Sequence, residues 1–469
     1  MTNLNEAKNK ERAKKELHVY ALMFFIALAV AIITWIIPAG EFTRVVEDGK
    51  TLVVPGSYQH VESNPVGFFE FFMSEISGFT GGASIIFMIF FIGGAVKIWE
   101  DSGFLGISLR KVMTAFNGKE EWTVIAISIV FSIVGATGAL ANSIIAFIPI
   151  GYIVAKSMGY DGMVGFAMTY LASFIGYTAG WANVLTVGIA HPMAELPPFS
   201  GMGVRIGIHI LFMGQFLWYL VRYCRRTKKD PNASICYEPE NKIDMSLLEN
   251  TGAFDIRQKL IGVTLLAGFV FLVYGGLKWG WGVNQFSATF VIMGIIAGLL
   301  GGMGINGTAK SFVAGCKNMT YGALIVGMAR AIPVLIENGK IMDTLINWLS
   351  APIGLVGPEI GASLIFLLSF LIAIPIISSS GLAATIMPII IPLADVTGIT
   401  RQVAVTAFQF GDAITNPWVP TASIMLASIA MCGIPYSKYL KWYFPMVAFQ
   451  TIAGIAILTV GQILQWGPM

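Results

Sequence analysis

Charge is what this sequence has least of. Only 12% of its 469 residues are Asp, Glu, Lys or Arg, about half the ~25% of a soluble domain. That composition excludes a soluble enzyme, a nucleic-acid binder and a disordered chain. The net charge of +3 offers no attraction for polyanions. Four cysteines, Cys224, Cys236, Cys316 and Cys432, stand apart, with no CxxC and no metal-ligand spacing. The histidines His18, His60, His191 and His209 are equally scattered. No nucleophile–base arrangement, P-loop or dinucleotide fingerprint is present, so no cofactor is expected. Without an ATP-binding motif, any pumping must draw on ion or solute gradients, with Na⁺ or H⁺ as coupling ion. The apolar segments do not alternate with polar residues, which excludes a transmembrane β-barrel.

What the chain has instead is apolar sequence in blocks of about 17 to 23 residues, enough to cross ~30 Å of hydrocarbon. A polar, basic segment (residues 1–17) precedes the first block, Val19–Ile37. This block is too long for a signal-peptide core and ends in Pro38-Ala39-Gly40, so it reads as a retained span. A polar loop and an amphipathic stretch, PVGFFEFFMSEISGF, follow. Further spans are expected near 84–99, 122–138, 163–179, 181–196, 205–224, 258–277, 287–303, 320–336, 359–376, 402–414, 417–432 and 440–462. Two shorter blocks, 139–157 and 378–394, are broken by proline or glycine and are expected to be re-entrant hairpins. The expected organisation is 1–17, a cytoplasmic segment; 18–83, first helix, outer loop and amphipathic segment; 84–224, a first repeat; 225–257, a cytoplasmic linker; 258–319, two linking helices; and 320–469, a second repeat. With the N-terminus inside and both hairpins re-entrant, inside segments hold roughly 18 Lys/Arg and outside segments roughly 4. Cys236, in the central basic segment, then faces the cytoplasm.

The halves echo each other in order. GGAVKIWEDSGFLG (Gly93–Gly106) matches ARAIPVLIENGKIM (Ala329–Met342). SIIAFIPIGYIVAKSMGYDG matches LAATIMPIIIPLADVTGIT. GWANVLTVG (Gly180–Gly188) matches ITNPWVPTA (Ile414–Ala422). The first copy enters from outside and the second from inside. Inverted repeats with broken segments at matching positions are the pattern of secondary transporters. Backbone leaving a helix within hydrocarbon loses hydrogen bonds, and persists only where protein, water or solute satisfies it. Gly138–Ser143, Gly176–Thr186, Ser378–Gly381 and Gly411–Thr421 are therefore expected to converge on one site. Half-helix N-termini there suit carboxylates, and unwound carbonyls suit Na⁺.

GYDG (Gly159–Gly162), GMARAIPVLIENGKIMDT (Gly327–Thr344), RQVAVTAFQFGDAITNPWVPTAS (Arg401–Ser423) and the opening HVYALMFFIALAVAIITWIIPAGEF resemble the YfcC family over nearly the whole chain. That family includes arginine/ornithine antiporters and is similar to the anaerobic C4-dicarboxylate carriers. The resemblance implies an ion-transporter-superfamily fold: all-α and polytopic, two inverted-topology repeats, two opposed re-entrant hairpins, broken helices, and a scaffold with a moving transport domain. One departure stands out. Basic amino-acid exchangers of the family carry Gly-Met-Gly-Glu-Glu at the first hairpin tip, and here Ala139-Leu140-Ala141-Asn142-Ser143 lacks both carboxylates. Their Asn-Pro-Phe is Asn183-Val184-Leu185 here. Asn142-Ser143 is closer to the Ser-Asn-Thr tips of dicarboxylate/sodium symporters.

The candidate substrate-binding residues are Asn142, Ser143, Asn183, Thr186, Arg330, Ser378, Ser379, Ser380, Asp412, Asn416 and Thr421, with Na⁺ positions near Gly138, Asn142, Gly381 and Asp412. Asp412 stands in apolar sequence, where a charge costs at least ~2.5–3.5 kcal/mol; it reads as an ion or ammonium ligand, or as a buried cap. Arg330, mid-span, neutralises a substrate carboxylate or pairs with Asp412. Asn183 and Asn416 satisfy unwound backbone or touch ligand. Glu100, Asp101, Glu337, Asp343, Asp161 and Arg401 read as interfacial, and Trp181, Trp418 and Trp442 as packing or interface anchors, the first two beside the breaks. The expected function is alternating-access transport of a small carboxylate-bearing solute, an amino acid by resemblance, in a bacterial inner membrane. A C4-dicarboxylate exchanger or sodium-coupled symporter is the rival, and an intramembrane enzyme or receptor the rival of another class. The expected partners are that solute and the lipid bilayer, with no nucleic acid; a homodimer is left open.

Overall fold

The computed structural model describes residues 19–467 except 48–49, 55, 106, 109–110, 112–117, 139–142, 237–254 and 280. Apart from four short β-strands, the described chain is helical. Among the described residues, six helices are long and apolar enough to cross a membrane by length and composition.

Helix α1 (Val19–Ile33) leads into two short antiparallel ladders: β1 (Gly40–Glu41) pairs with β4 (Gln59–His60), and β2 (Arg44–Glu47) with β3 (Lys50–Val53). Helix α2 runs unbroken over Phe68–Asp101, 34 residues, about 51 Å at 1.5 Å per residue. The amphipathic stretch and the span expected after it are thus one rod. Its glycines serve packing: a Cβ at Gly78 would strike the backbone of Gly327 and Ala331 on α11 (Thr320–Asn338). Small residues let membrane helices approach this closely. Exposed Phe68, Phe69, Phe72 and Ile76 give α2 an apolar outer face.

Helix α3 (Glu120–Gly135) is followed by a tight 3₁₀ turn (Ser143–Phe147) and α4 (Ile148–Ser157). Both ends of this unit meet Lys228: its Nζ is 3.3 Å from Glu120 and 5.7 Å from the centroid of the Tyr160 ring. The re-entrant hairpin is therefore longer than the sequence suggested, with α3 as its first arm. Helix α5 continues through Gly162–Phe166, a π-turn at Ala167–Leu171, and Ala172–Ala179. After a break, α6 (Val187–Met193) completes the same crossing, so 163–196 is one broken span rather than two. Helix α7 (Met202–Lys229) returns to Lys228.

Helices α8 (Ile256–Trp279) and α9 (Val283–Leu300) link the halves. The stretch between the spans expected at 287–303 and 320–336 is helix α10 (Gly304–Asn318). Its Ser311 hydroxyl donates to Asp101 at 2.6 Å, and Gly315 packs on the backbone of Gly93 and Gly94. The second half then repeats the first. After α11 and the short α12 (Met342–Ser350), α13 (Pro358–Ile372) and α14 (Ser379–Thr397) form a hairpin whose two ends meet where Gly361 packs on Ile399. Helix α15 (Arg401–Thr415), a break, and α16 (Ser423–Met431) form the second broken span, and α17 (Tyr436–Ile463) closes the chain.

Side-chain contacts establish the inversion. The start of α5 lies against the end of α7 and of α16: Asp161 accepts from the Tyr223 and Ser234 hydroxyls, and Gly162 packs on the Cys432 carbonyl. The start of α15 lies at the opposite face, against the ends of α6 and α17. There Arg401 donates to the Ala194 carbonyl at 3.1 Å and pairs with Glu195 and Asp395 at 2.6 and 2.9 Å, while the Gln462 side chain accepts from Thr400 N–H at 3.0 Å. So α5 and α15 enter from opposite faces. Each inner helix presses a glycine on a serine of its hairpin's first arm, Gly176 on Ser132 and Gly411 on Ser369.

Candidate functional site

The breaks lie where the two inner helices end. Asn183 and Thr186 in the first, and Asp412, Asn416 and Thr421 in the second, are all buried. The freed backbone is tied to the neighbouring hairpin. Ala182 and Val184 N–H donate to the Ala136 and Thr137 carbonyls at 3.3 and 3.2 Å. In the second repeat the Thr421 hydroxyl donates to the Ile374 carbonyl at 2.5 Å, and Tyr439 and Tyr436 hydroxyls cap the Pro417 and Trp418 carbonyls. Protein groups thus replace the helical hydrogen bonds lost at these depths.

Four segments come together. Gly138 has φ +74° and needs to be glycine twice over, since a Cβ would also strike Asn183 Oδ1. That joins the first hairpin turn to the first break. Asn183 Oδ1 accepts from Leu185 N–H at 2.9 Å, while its Nδ2 has no partner. Tyr177, at the end of α5, donates its hydroxyl to Ser379 Oγ at 2.8 Å, joining the first inner helix to the tip of the second hairpin. Gln409 Nε2 donates to the Tyr177 carbonyl at 2.6 Å, joining the two inner helices. Asp412 is fully buried beside Ser379 and Tyr177. Its Oδ1 accepts from Asn416 Nδ2 at 3.0 Å, and its Oδ2 has no hydrogen-bond partner.

The expected residues separate on this map. Asn183, Ser379, Asp412 and Asn416 are brought together. Ser378 caps α14 through Gly381 N–H at 3.2 Å, with Ser380 3.3 Å from it. Thr421 secures the break, and Thr186 is buried with an unpartnered hydroxyl. Ser143 is buried at the start of the 3₁₀ turn. Asn142 lies outside the described residues. Arg330 is not paired with Asp412: its Nη1 donates to the Gly81 carbonyl at 2.7 Å, and Asp412 is held by Asn416. Asp343 is buried rather than solvated, accepting from Phe42 N–H at 2.8 Å and from Arg44 Nη2 at 2.7 Å. Asp161 caps α5 through Val164 N–H. Cys236 is partly buried, with Met163 N–H donating to its sulfur at 3.1 Å.

A cavity of about 740 Å³ reaches from the β-strand segment to the second hairpin. Gly40, Arg44 and Lys340 stand at one end, Arg330 and Glu337 on the wall, and Ser378 and Thr421 at the other end. Sequence reasoning passed over Tyr177 and Gln409. Gln409 lies in the motif QFGD, three residues before Asp412, so helical spacing placed it one turn away; nothing local marked Tyr177.

Two broken helices, two opposed hairpins and one enclosed carboxylate meet at this site. The family profile described as "DcuC: C4-dicarboxylate anaerobic carrier" matches residues 17–463. The chain belongs to that family, a family of membrane transporters. It is 28% identical to the "Putative basic amino acid antiporter YfcC" of Escherichia coli (strain K12), over 90% of this chain and 91% of that one. It is 26% identical to an "Uncharacterized protein" of Haemophilus influenzae, over 97% of this chain and 98% of that one. Among solved structures, the YdaH transporter of Alcanivorax borkumensis aligns with a TM-score of 0.42 and 17% identity, over 96% of this chain and 100% of that one. MtrF of Neisseria gonorrhoeae aligns with a TM-score of 0.42 and 16% identity, over 96% of each. Neither likeness is close enough to transfer a role.

Proposed function

We propose that this member of the family is a secondary active transporter of a small carboxylate-bearing solute, an amino acid, working by alternating access in a bacterial inner membrane. The observation that carries the reading is the Asp412 carboxylate, enclosed where both broken helices meet the Ser379 hairpin tip, with Oδ2 unpartnered. A buried charge is costly unless it is matched. A substrate ammonium or a coupling Na⁺ or H⁺ supplies the match. The Na⁺ positions lie near Gly138, Gly381 and Asp412, with Asn183 and Asn416 supplying amide oxygens. Arg330, on the cavity wall, receives the solute carboxylate as it approaches Ser378. With the basic face cytoplasmic, the N-terminus lies inside and the cavity opens outward.

The second reading is a C4-dicarboxylate exchanger or sodium-coupled symporter. It is supported by the family description and by Arg330 facing the cavity with no acid paired to it among the described residues. The test is uptake into proteoliposomes with and without an inward Na⁺ gradient. Asp412→Asn is expected to abolish transport while leaving a monodisperse protein. Full activity in that variant removes Asp412 from the mechanism. An unfolded variant makes Asp412 a structural cap.

A further inference from the structure

The described residues hold a second buried charge, apart from the Asp412 site. Arg205, in the first turns of α7, is fully buried. Its Nη2 donates to Thr406 Oγ1 at 2.9 Å, while Nε and Nη1 have no partner. His191 on α6 is also fully buried, with neither ring nitrogen partnered, and is near enough for the Arg205 charge to reach it. Gln402, one turn before Thr406 on α15, is held by the Ser200 carbonyl through Nε2 at 3.0 Å. None of these residues lines the 740 Å³ cavity. Arg205 forms no ion pair among the described residues; the nearest ion-paired cluster is Arg401 with Glu195 and Asp395, at the ends of the same helices. The separation of Thr406 from Arg401, five residues, puts the guanidinium roughly 7 Å deeper along α15.

A guanidinium cannot shed its charge at any ordinary pH. Enclosed with unpaired N–H groups, it needs a counter-charge, or the burial strongly disfavours the fold. Its free Nε and Nη1 donors and full positive charge suit an anion, and a ring N–H of His191 can add to them. The enclosure decides its size. These residues are buried away from the cavity, and a solute carboxylate would bring its whole molecule among them, whereas a monatomic anion needs about the room of one water.

We propose that Arg205 and His191 form a binding site for a single halide-sized anion, chloride in the cell, held between α6, α7 and α15. The anion neutralises Arg205 and locks the outer half of the first broken helix to the second inner helix. The site is independent of the substrate reading, because it shares no residue with the Asp412 cluster.

The decisive measurement is equilibrium dialysis of the purified full-length protein in detergent against radiolabelled chloride, with gluconate keeping ionic strength constant. About one chloride per chain is expected, displaced by bromide but not by gluconate; no saturable binding overturns the proposal. In parallel, chloride or bromide replacing gluconate is expected to raise Tm with saturation, and this response is expected to vanish in Arg205→Gln. A halide response retained in Arg205→Gln overturns the assignment. Should that variant not fold, His191→Gln reports instead through a weakened chloride affinity, about tenfold; unchanged affinity takes His191 out of the site. Transport assays of the wild type keep the two readings apart, since chloride binding stands or falls whatever solute is carried.

Discussion

The Tyr177 hydroxyl donates to Ser379 Oγ at 2.8 Å, across 202 positions of sequence. It ties the end of one repeat's inner helix to the tip of the other repeat's hairpin, beside the Asp412 carboxylate. A bond there has to loosen or exchange whenever a solute reaches Ser379.

Removing it tests that coupling. A neutral hydrogen bond is worth about 0.5–1.5 kcal/mol net, so Tyr177→Phe is expected to change the apparent KM for the transported solute by about two- to tenfold. Little change in Tm should accompany it. A variant with unaltered kinetics would place the bond outside the transport cycle.

Packing at the inner helices is the least tolerant feature. A Cβ at Gly176 would meet the Ser132 carbonyl, and one at Gly411 the backbone around Ser369. Neither is the end of a flexible side chain, so the helix must move. Gly176→Leu and Gly411→Leu are expected to lose at least ~1–3 kcal/mol and most of the monodisperse protein. Gly203→Leu is the control, because nothing lies within 4 Å of its Cβ position. Equal Tm in all three variants would contradict the close crossings.

Much of this architecture was legible in the sequence, and for a definite reason. In hydrocarbon a break in a helix is expensive, so Gly, Pro, Asn and Ser clustered inside apolar blocks mark where protein must take over the backbone. That logic pointed to the second hairpin tip and both breaks, and to Asp412, Asn183, Asn416 and Ser379, which the fold brings together; residues 139–142 of the first tip lie outside the described residues. What it missed depends on approach between distant segments. The amphipathic stretch and the span expected at 84–99 read as separate segments, but they form one helix whose Gly78 and Gly82 are contact points for α11. The first arms of the hairpins, α3 and α13, read as full spans because their apolar length alone does not reveal that each ends inside. Pairing with Asp412 is one of the two roles the sequence leaves to Arg330; only the fold shows that Gly81 holds Arg330 and Asn416 holds Asp412. Tyr177 carried no local mark, and Arg205 stands at the first residue of the span expected at 205–224, where a charge reads as an interfacial end.

The β-strand segment is fastened to the second half by Asp343, which takes Phe42 N–H and Arg44 while Thr344 donates to the Pro38 carbonyl at 2.8 Å. Asp343→Ala leaves a buried N–H unmatched and is expected to cost about 1–3 kcal/mol, read as a lower Tm. Asp343→Asn keeps an acceptor and should recover part of it. If both variants melt with the wild type, the strand segment is not held by this residue.

Orientation needs a probe other than Cys236, whose sulfur is engaged by Met163 N–H. Asn232 lies on the same segment after α7 and is exposed. Asn232→Cys is expected to react with an impermeant thiol reagent in inside-out vesicles and not in intact cells, as the positive-inside bias requires. Labelling of intact cells would reverse the orientation and turn the 740 Å³ cavity toward the cytoplasm.

The last prediction concerns the charge of the solute. A dibasic amino acid carries a second cation into a site of low dielectric, where it needs a carboxylate of its own. At the meeting of the broken helices the described residues offer one, Asp412. On the cavity wall, Asp343 is committed to Arg44 and Glu41 to Lys340, while Arg330 and Glu337 line the cavity with no ion pair among the described residues. The hairpin stretch that supplies two glutamates in the basic exchangers of the resembling family ends in Asn142-Ser143 here. One aspartate balances an α-ammonium or a side-chain cation, hardly both. Neutral or acidic solutes, citrulline-like amino acids or C4-dicarboxylates, are therefore expected to bind better than arginine or ornithine. Thermal-shift titration of the purified protein with arginine, ornithine, citrulline, aspartate and succinate compares them directly. Stabilisation by arginine or ornithine alone, at micromolar concentration, would show that the absent glutamate pair is not what holds a cation. If the tip does hold it, Asn142→Glu combined with Ser143→Glu should shift preference toward the dibasic solutes, by roughly the tenfold that 1.4 kcal/mol of added pairing represents.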